Sequence, residues 1–220
     1  ALSGEYQGAP VRLDESARAL INELLRPDAV SLPAGLHATL RPYQLRGFEW
    51  LYKNTRLGFG SLIADDMGLG KTLQVIAALQ RLKEDGALEG DQKALVVAPT
   101  TLLTNWCKEV VRFAPGLRLH VYHGPARSLK PLNDCDILLT TYGVVRSDIA
   151  EFQKKNWLVA VIDEAQNIKN LDTAQTKAIK KLPATVRIAM TGTPVENRLS
   201  EYFSLFEFAN RGYLGTLKEF

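Results

Sequence analysis

The chain has 220 residues, of which 46% are apolar and 23% are charged, and its formal net charge is +3. These proportions are typical of a folded globular protein, and they exclude a disordered chain, a coiled coil and a small disulfide-stapled scaffold. No segment reaches the roughly 18 consecutive apolar residues of a membrane helix, and the first residues do not resemble a secretory signal. A charge of this size does not by itself indicate a nucleic-acid partner. The chain does not begin with Met, which favours a fragment or a processed product.

Two cysteines, Cys107 and Cys135, are too far apart in the sequence to form a metal-ligand pair. Isolated thiols in apolar surroundings are typical of small buried side chains. They also favour a reducing compartment, which we expect to be the cytoplasm or nucleoid, or the nucleus if the protein is eukaryotic.

The first predicted element is an amphipathic helix over residues 13–26, with Asp14 as its N-cap and Pro27 as its stop. The residues that follow contain two prolines and a glycine, which is typical of a linker. We therefore expect an N-terminal extension at residues 1–36 and a main domain at residues 37–220.

In the main domain, short apolar runs alternate with helical patterns. The predicted strands are residues 60–64, 94–98, 119–122, 137–140, 158–162 and 187–190. The predicted helices are residues 45–53, 71–83, 102–113, 174–181 and 199–208. This alternation predicts an α/β fold with a parallel, doubly wound sheet that helices cover on both faces, giving three layers. Ligands bind such sheets beyond the carboxyl ends of the strands.

A candidate phosphate-binding loop follows the first of these strands. Gly70, Lys71 and Thr72 match the end of such a loop, in which the lysine reaches the β- and γ-phosphates and the hydroxyl ligates Mg²⁺. The helix that follows contributes its positive N-terminal end. The strict pattern begins with glycine, whereas this loop has Asp65 at that position. Its place between an apolar strand and an apolar helix still favours a phosphate site.

An acidic pair, Asp163 and Glu164, follows the strand predicted at 158–162. Two carboxylates at the tip of a buried strand are unfavourable unless a cation lies beside them. The alternative is that the end of this strand is exposed to solvent. In a phosphate-loop enzyme the first carboxylate holds Mg²⁺, and the second orients and deprotonates the attacking water. Together with the loop, the pair predicts an ATPase.

Two weaker signals lie on the same domain. Thr191 and Thr193 follow the strand predicted at 187–190, and their hydroxyls can bond to the acidic pair and to a moving neighbour, or simply form a turn. Gln44 precedes a helical stretch, and its amide can read the edge of adenine or lie on the surface.

Taken together, these segments resemble the first RecA-like lobe of helicase superfamily two, and within it the Swi/Snf-type DNA-translocase and chromatin-remodelling ATPases. The matching segments are LRPYQ (40–44), ADDMGLGKT (64–72), PTTLLTNW (99–106), LLTTY (138–142), DEAQ with NIKN (163–170) and TGTPVEN (191–197). They span about 160 positions in the family order. Since an Asp is normal at the first loop position in this family, Asp65 fits the pattern.

The resemblance implies ATP and Mg²⁺ as ligands and assigns a role to each matching residue. Gln44 would contact adenine, and Asp163 and Glu164 would be the Mg²⁺ ligand and the water activator. Residues that would hold the phosphates and Mg²⁺ are Gly68, Gly70, Lys71 and Thr72. Residues that would couple the nucleotide state to DNA are Gln166, Thr191 and Thr193. Many members of the family have His where this chain has Gln166, which puts the detail of coupling in doubt.

The resemblance also implies double-stranded DNA as a partner, bound mostly through its phosphates and hence without sequence preference. Residues in the segments that face DNA are Thr100, Asn105, Trp106, Thr141 and Tyr142. For Trp106, a place in the hydrophobic core is the alternative. The resemblance implies no membrane partner and leaves the protein cargo unidentified, and the short loops and Gln166 favour a prokaryotic member.

Only about 23 residues follow Asn197, too few for the second RecA-like lobe that carries arginine fingers in this family. We therefore expect this chain to hold the first lobe, and by itself to bind nucleotide weakly and hydrolyse it barely, since an arginine finger contributes roughly 10³–10⁵ in rate. The full-length protein would hydrolyse ATP to move along DNA or to remodel DNA–protein complexes. The alternatives are an RNA-directed or strand-separating helicase lobe and a non-catalytic, nucleotide-gated scaffold.

Overall fold

The computed structural model describes residues 5–6, 9–10, 14–25, 30–193 and 199–220. The chain divides into two units, Ala1–Val30 and Ser31–Phe220.

The N-terminal unit contains the predicted amphipathic helix. Its elements are two short antiparallel strands and one helix: β1 (Glu5–Tyr6), β2 (Ala9–Pro10) and α1 (Glu15–Leu25). Asp14 lies one residue before the helix, and its carbonyl accepts the first intrahelical hydrogen bond, from Arg18 N–H at 3.0 Å. The helix predicted over 13–26 is therefore confirmed at Glu15–Leu25, whereas residues 13 and 26 and the predicted stop, Pro27, lie outside the described residues.

The second unit is built on a parallel sheet. Its strands are β3 (Ser61–Ile63), β4 (Lys93–Ala98), β5 (Leu119–Val121), β6 (Ile137–Thr141), β7 (Trp157–Ile162) and β8 (Ala184–Met190). The spatial order is β3-β8-β7-β4-β6-β5, and every strand pair within it is parallel. The predicted α/β fold with six parallel strands is confirmed. Because β8 lies between β3 and β7, the ends of these three strands lie at one part of the sheet edge.

Helices cover both faces of this sheet. They are α2 (Pro42–Arg56), α3 (Lys71–Glu84), α4 (Leu103–Phe113), α5 (Tyr142–Ser147), α6 (Ile149–Gln153), α7 (Ala174–Lys180) and α8 (Leu199–Ala209). In one group α3 contacts both α2 and α4, and in the other α5 packs against α7. Leu95 and Val97 of β4 lie in one core cluster with Val145, Ile179 and Phe208 from the second group. Their neighbours in the strand point to the opposite face, as alternation along a strand requires.

Two short helices, α5 and α6, were not predicted from the sequence. They have six and five residues, which is too short for a 3.6-residue periodicity to be recognised. Thr141 gives the local signal, because its hydroxyl oxygen accepts a hydrogen bond from Val144 N–H and caps α5.

The residues just before α2 are hydrogen-bonded to the helices α3 and α4 of the same unit. The N–H groups of Ala34 and Gly35 donate to the carboxylate of Glu84 at the end of α3, at 2.9 and 2.7 Å. His37 N–H donates to the carbonyl of Phe113, the last residue of α4, at 2.7 Å. Part of the segment assigned to a linker is thus fixed on the helices that follow it.

The prediction of buried cysteine side chains is confirmed for Cys135 and holds only in part for Cys107. Cys135 is buried in the core and Cys107 is half-buried, and both thiols are free. Burial raises the pKa of each thiol, which disfavours the reactive thiolate. Among the residues that the structure describes, no helix is both long and apolar enough to cross a membrane.

Candidate active site

A cleft of about 250 Å³ lies beyond the carboxyl ends of β3, β7 and β8, at the start of α3. Its lining includes Gly68, Gly70, Lys71, Thr72, Asp163 and Glu164. The candidate phosphate loop and the acidic pair, 91 positions apart in the sequence, therefore share one cavity. The cleft occupies the position at which parallel α/β sheets bind ligands.

The loop between β3 and α3 wraps around the ammonium group of Lys71. This group donates hydrogen bonds to the carbonyl oxygens of Asp65 and Asp66, at 2.6 and 2.9 Å. Gly68 and Gly70 have φ angles of +80° and +78°, a left-handed conformation that glycine adopts at little cost. Since α3 begins at Lys71, the loop ends at the positively polarised N-terminus of a 14-residue helix.

Gln44 lies beside the loop and does not line the cleft. Its Oε1 accepts from Arg41 N–H at 2.9 Å, and its Nε2 donates to the carbonyl of Leu69 at 3.1 Å. A Cβ atom on Gly70 would clash with this Nε2. Both ends of the amide are therefore used to join the start of α2 to the phosphate loop, and the adenine contact of Gln44 stays a prediction.

The carboxylate of Asp163 is held by one hydrogen bond on each oxygen. Oδ2 accepts from the indole N–H of Trp106 at 2.8 Å, and Oδ1 accepts from Glu164 N–H at 2.9 Å. The main-chain carbonyl of Asp163 accepts from the hydroxyl of Tyr142 at 2.6 Å. Burial raises the pKa of Asp163, although the hydrogen bonds that its carboxylate accepts from Trp106 and from Glu164 N–H, and the charge of Lys71, oppose the rise. Because the pKa is raised overall, the ionised carboxylate is unfavourable here unless a cation lies close to it.

Glu164 has a φ angle of +51°, and no other non-glycine residue in the described segments has a positive φ. This left-handed conformation costs a residue with a Cβ atom about 1–2 kcal/mol. Asn167 stabilises it by donating from Nδ2 to the Glu164 carbonyl at 2.8 Å. Backbone strain of this kind is found where a functional group must be held in a fixed position.

Gln166 joins the acidic pair to the end of β8. Its Nε2 donates to Oε2 of Glu164 at 2.6 Å, and its Oε1 accepts from the hydroxyl of Thr191 at 2.9 Å. The same hydroxyl oxygen accepts from Thr193 N–H at 3.1 Å. The three residues predicted to couple the nucleotide to DNA therefore form one bonded series that reaches Glu164. The rest of that segment, residues 194–197, lies outside the described residues.

The segments predicted to face DNA divide into exposed and buried side chains. Thr100 and Asn105 are exposed. Trp106, Thr141 and Tyr142 are at most 5% exposed, and their polar atoms bond within the lobe. A buried side chain cannot contact a phosphate at the surface, so this structure does not support DNA contact through these three side chains. The core alternative holds for Trp106.

One residue of the cleft, Glu109, was missed from the sequence. Its Oε1 accepts from Nδ2 of Asn105 at 2.8 Å, and both side chains line the cleft. Their four-residue separation places them on the same face of α4, which is the signal that could have found the pair. The first turns of α4 thus form a polar wall of the cleft.

The protein groups in the cleft fit a Mg²⁺ ion that arrives with a phosphate. Among the described residues, no cluster of three or more His, Cys, Asp or Glu side chains could hold a metal ion. The cleft does contain the hydroxyl of Thr72 and the carboxylate of Asp163, which are hard oxygen donors. Mg²⁺ is commonly held by one or two such protein ligands together with substrate phosphates and water.

A parallel sheet with a lysine-bearing loop after one strand and an acidic pair after another is the arrangement of a RecA-like nucleotide-binding fold. Residues 43–220 match the SNF2-related domain family. The chain belongs to this family, as an SNF2-type ATPase domain of helicase/translocase-type proteins.

Relatives from all three domains of life share the sequence or the fold. YwqA of Bacillus subtilis, which carries the name of an ATP-dependent helicase/translocase, is 40% identical over 98% of this chain and 24% of its own length. The TATA-binding protein-associated factor MOT1 of Saccharomyces cerevisiae is 36% identical over 94% of this chain and 12% of its own length. The SWI2/SNF2 ATPase core of Sulfolobus solfataricus, solved in complex with double-stranded DNA, superposes with a TM-score of 0.80 and 46% identity. That match covers 88% of this chain and 40% of the solved chain, so this chain spans well under half of these relatives.

Proposed function

We propose that this chain is the ATP-binding lobe of a double-stranded DNA translocase, whose full-length form hydrolyses ATP to move along DNA or to remodel DNA–protein complexes. The observation that carries the proposal is the shared cleft of Lys71, Thr72, Asp163 and Glu164. Membership of the SNF2-related family supports it.

In this proposal the γ-phosphate of ATP lies between the loop and the acidic pair. The ammonium of Lys71 and the N-terminus of α3 bind the β- and γ-phosphates. Thr72 and Asp163 hold Mg²⁺, which supplies neutralising charge on the phosphate oxygens when it is bound. Glu164 orients the attacking water and accepts its proton as the new oxygen–phosphorus bond forms and the bond to the ADP oxygen breaks.

The lobe by itself is proposed to be almost inactive. Of the described residues that line the cleft, Lys71 is the single cation, and its place is on the loop side of the phosphates. Charge that develops on the leaving ADP oxygen and on the equatorial oxygens calls for a further cation besides Lys71 and Mg²⁺. We assign this cation to a second RecA-like lobe, whose arginine would raise the rate by roughly 10³–10⁵.

DNA is proposed to bind along the side of the lobe that carries the start of α4. Thr100 and Asn105 are exposed there and can donate to phosphate oxygens. The Sulfolobus relative in complex with double-stranded DNA favours a duplex as the partner. Because phosphates are alike in every sequence, such contacts suit movement along DNA.

The test is the rate of ATP hydrolysis by the full-length protein with duplex DNA, single-stranded DNA or RNA. Duplex DNA should stimulate hydrolysis most, and Glu164→Gln should abolish the stimulated rate. Glu151→Gln, which changes an exposed glutamate paired with Lys154, is the matched control and should leave the rate unchanged. Stimulation by RNA alone would favour an RNA-directed helicase, and an unchanged basal rate in Glu164→Gln would favour the scaffold alternative.

A further inference from the structure

Trp106 makes a hydrogen bond that hydrophobic packing alone does not require. Its side chain is fully buried, and its indole N–H donates to Oδ2 of Asp163 at 2.8 Å. Leu103 and Val110, which precede and follow it on the same face of α4, are also buried. This face fixes the helix against the sheet, so the indole N–H has a defined position relative to the end of β7.

We propose that Trp106 is a positioning residue that fixes the carboxylate of Asp163 in the orientation that holds Mg²⁺. The inference rests on the proposed function, because it assigns Asp163 to the metal. A carboxylate turns readily about its last side-chain bond. With Oδ1 bonded to Glu164 N–H at 2.9 Å and Oδ2 bonded to the indole, that rotation is stopped from both sides.

Both oxygens keep the capacity to bind a metal ion or a metal-bound water. An ionised carboxylate has about four acceptor positions, and these two bonds use one on each oxygen. Asp163 also lines the cleft and is 7% exposed, so its remaining positions have access to a ligand there. The two donors therefore orient the group without blocking it.

The chemistry of indole suits this task better than that of a charged donor. An indole N–H is a donor only and carries no charge, so it bonds to the carboxylate without neutralising it. A lysine or arginine at this position would form an ion pair with Asp163 and compete with Mg²⁺ for the same charge. Removing a group that orients a metal ligand in this way typically lowers metal affinity or activity by 10–100-fold.

The experiment compares Trp106→Phe with Trp157→Phe in the full-length protein. Trp157 is a buried tryptophan whose indole donates to the Phe152 carbonyl at 3.2 Å, so its replacement removes the same atoms from the core. ATP affinity is measured by calorimetry in Mg²⁺ and again in EDTA. Trp106→Phe should reduce the enhancement of affinity by Mg²⁺ by about 10–100-fold and leave the affinity in EDTA nearly unchanged. Trp157→Phe should keep the full enhancement.

The outcomes separate this inference from the proposed function. If wild-type protein shows no Mg²⁺ enhancement, the proposed nucleotide site is wrong and the inference falls with it. If wild-type protein shows the enhancement and Trp106→Phe retains it, the positioning role alone is overturned. Should Trp106→Phe not fold, Trp106 is replaced by benzothienylalanine, which keeps the shape of the side chain and lacks the N–H. Retained enhancement in that variant would likewise overturn the role.

Discussion

The side-chain amide of Gln166 donates a hydrogen bond to Oε2 of Glu164 across 2.6 Å. The other end of the amide accepts from the hydroxyl of Thr191, which is 1% exposed, so the amide cannot turn without losing a buried bond. A Cβ atom on Gly192, the next residue, would lie 2.7 Å from Cγ of Met67 in the phosphate loop. The end of β8 therefore contacts the loop and, through Gln166, the acidic pair.

Replacing Gln166 with Leu should lower the rate of hydrolysis and leave ATP affinity nearly unchanged. The substitution removes the donor that orients Glu164, and hydrogen bonds to charged groups contribute about 1.5–3 kcal/mol, or roughly 10–100-fold in rate. Gln166→His keeps a donor and should retain more of the rate. The measurement is kcat and KM of the DNA-stimulated reaction, with Gln92→Leu, an exposed site, as control. A higher KM with unchanged kcat would contradict the role.

Alanine at Gly70 should weaken ATP binding more than alanine at Gly68. Both residues have a positive φ, so each substitution strains the loop by about 1–2 kcal/mol. A Cβ atom on Gly68 meets open space, whereas one on Gly70 also clashes with Gln44. The double variant Gly70→Ala with Gln44→Ala should therefore lose less ATP-binding free energy than the two single variants lose in sum. Calorimetric ATP titration of the four variants tests this, and strict additivity would argue against the contact.

Asp136→Asn should destabilise the fold at neutral pH and have little effect near pH 2. Asp136 is 2% exposed and bonds to Lys83 at 2.6 Å and to Arg118 at 2.7 Å. Burial raises the pKa of Asp136, but the bonds from Arg118 and Lys83 outweigh it and lower the pKa to about 2.

Because the pKa of Asp136 in the folded protein lies below its ordinary value, the ionised Asp136 stabilises the fold fully above pH 4. This stabilisation is lost as the pH falls toward 2. It amounts to about 2 kcal/mol of unfolding free energy. Urea unfolding from pH 7 to pH 2 measures the difference, with the exposed Asp91→Asn as control. A pH-independent difference would contradict the pairing.

Lys180→Met should raise the melting temperature at neutral pH. The ammonium of Lys180 is buried and has no hydrogen-bond partner among the described residues. Burial lowers its pKa to about 8, with Arg211 acting in the same direction and Glu207 opposing. An unsatisfied buried group costs about 1–3 kcal/mol, and each kcal/mol corresponds to ~2–4 °C in a chain of this size.

Below pH 8 the folded protein must bury the charged ammonium of Lys180, so the loss of unfolding free energy is greatest there. It fades as the pH rises from 8 past 10.5, so the advantage of the methionine variant should shrink over that interval. Lys177→Met, an exposed change on the same helix, is the control and should shift the melting temperature little. An advantage that grows with pH would contradict the argument.

The strands and the place of the cleft could be predicted because each rests on a local pattern. Runs such as 94–98 and 158–162 are apolar throughout, and only strands covered on both faces require this. Asp163 follows such a run, the loop that carries Lys71 follows the less apolar run at 60–64, and parallel strands bring their carboxyl ends to one edge. The ends of the strands were predicted less accurately. The strand β8 begins at Ala184 rather than at 187, because its first residues still pair with β7.

The contacts that organise the cleft could not be predicted, because they depend on which side chains the fold brings together. Nothing local to Trp106 indicates that its indole meets Asp163, 57 positions later. The left-handed φ of Glu164 is likewise set by its neighbours and runs against the preference of glutamate. Gln44 has the predicted residue type, yet its amide is taken up by Arg41 and Leu69.

The most direct test of the central claim is calorimetric titration of Mg²⁺–ATP into the wild-type 220-residue chain and its Lys71→Ala variant. Lys108→Ala, an exposed change on α4, is the control for a lost surface charge. We predict measurable binding to the wild type and to Lys108→Ala, and a loss of roughly 100-fold in Lys71→Ala, because the phosphates lose a charged donor. Equal affinity in the wild type and in Lys71→Ala would show that the loop does not hold the triphosphate, and would contradict the assignment of the cleft.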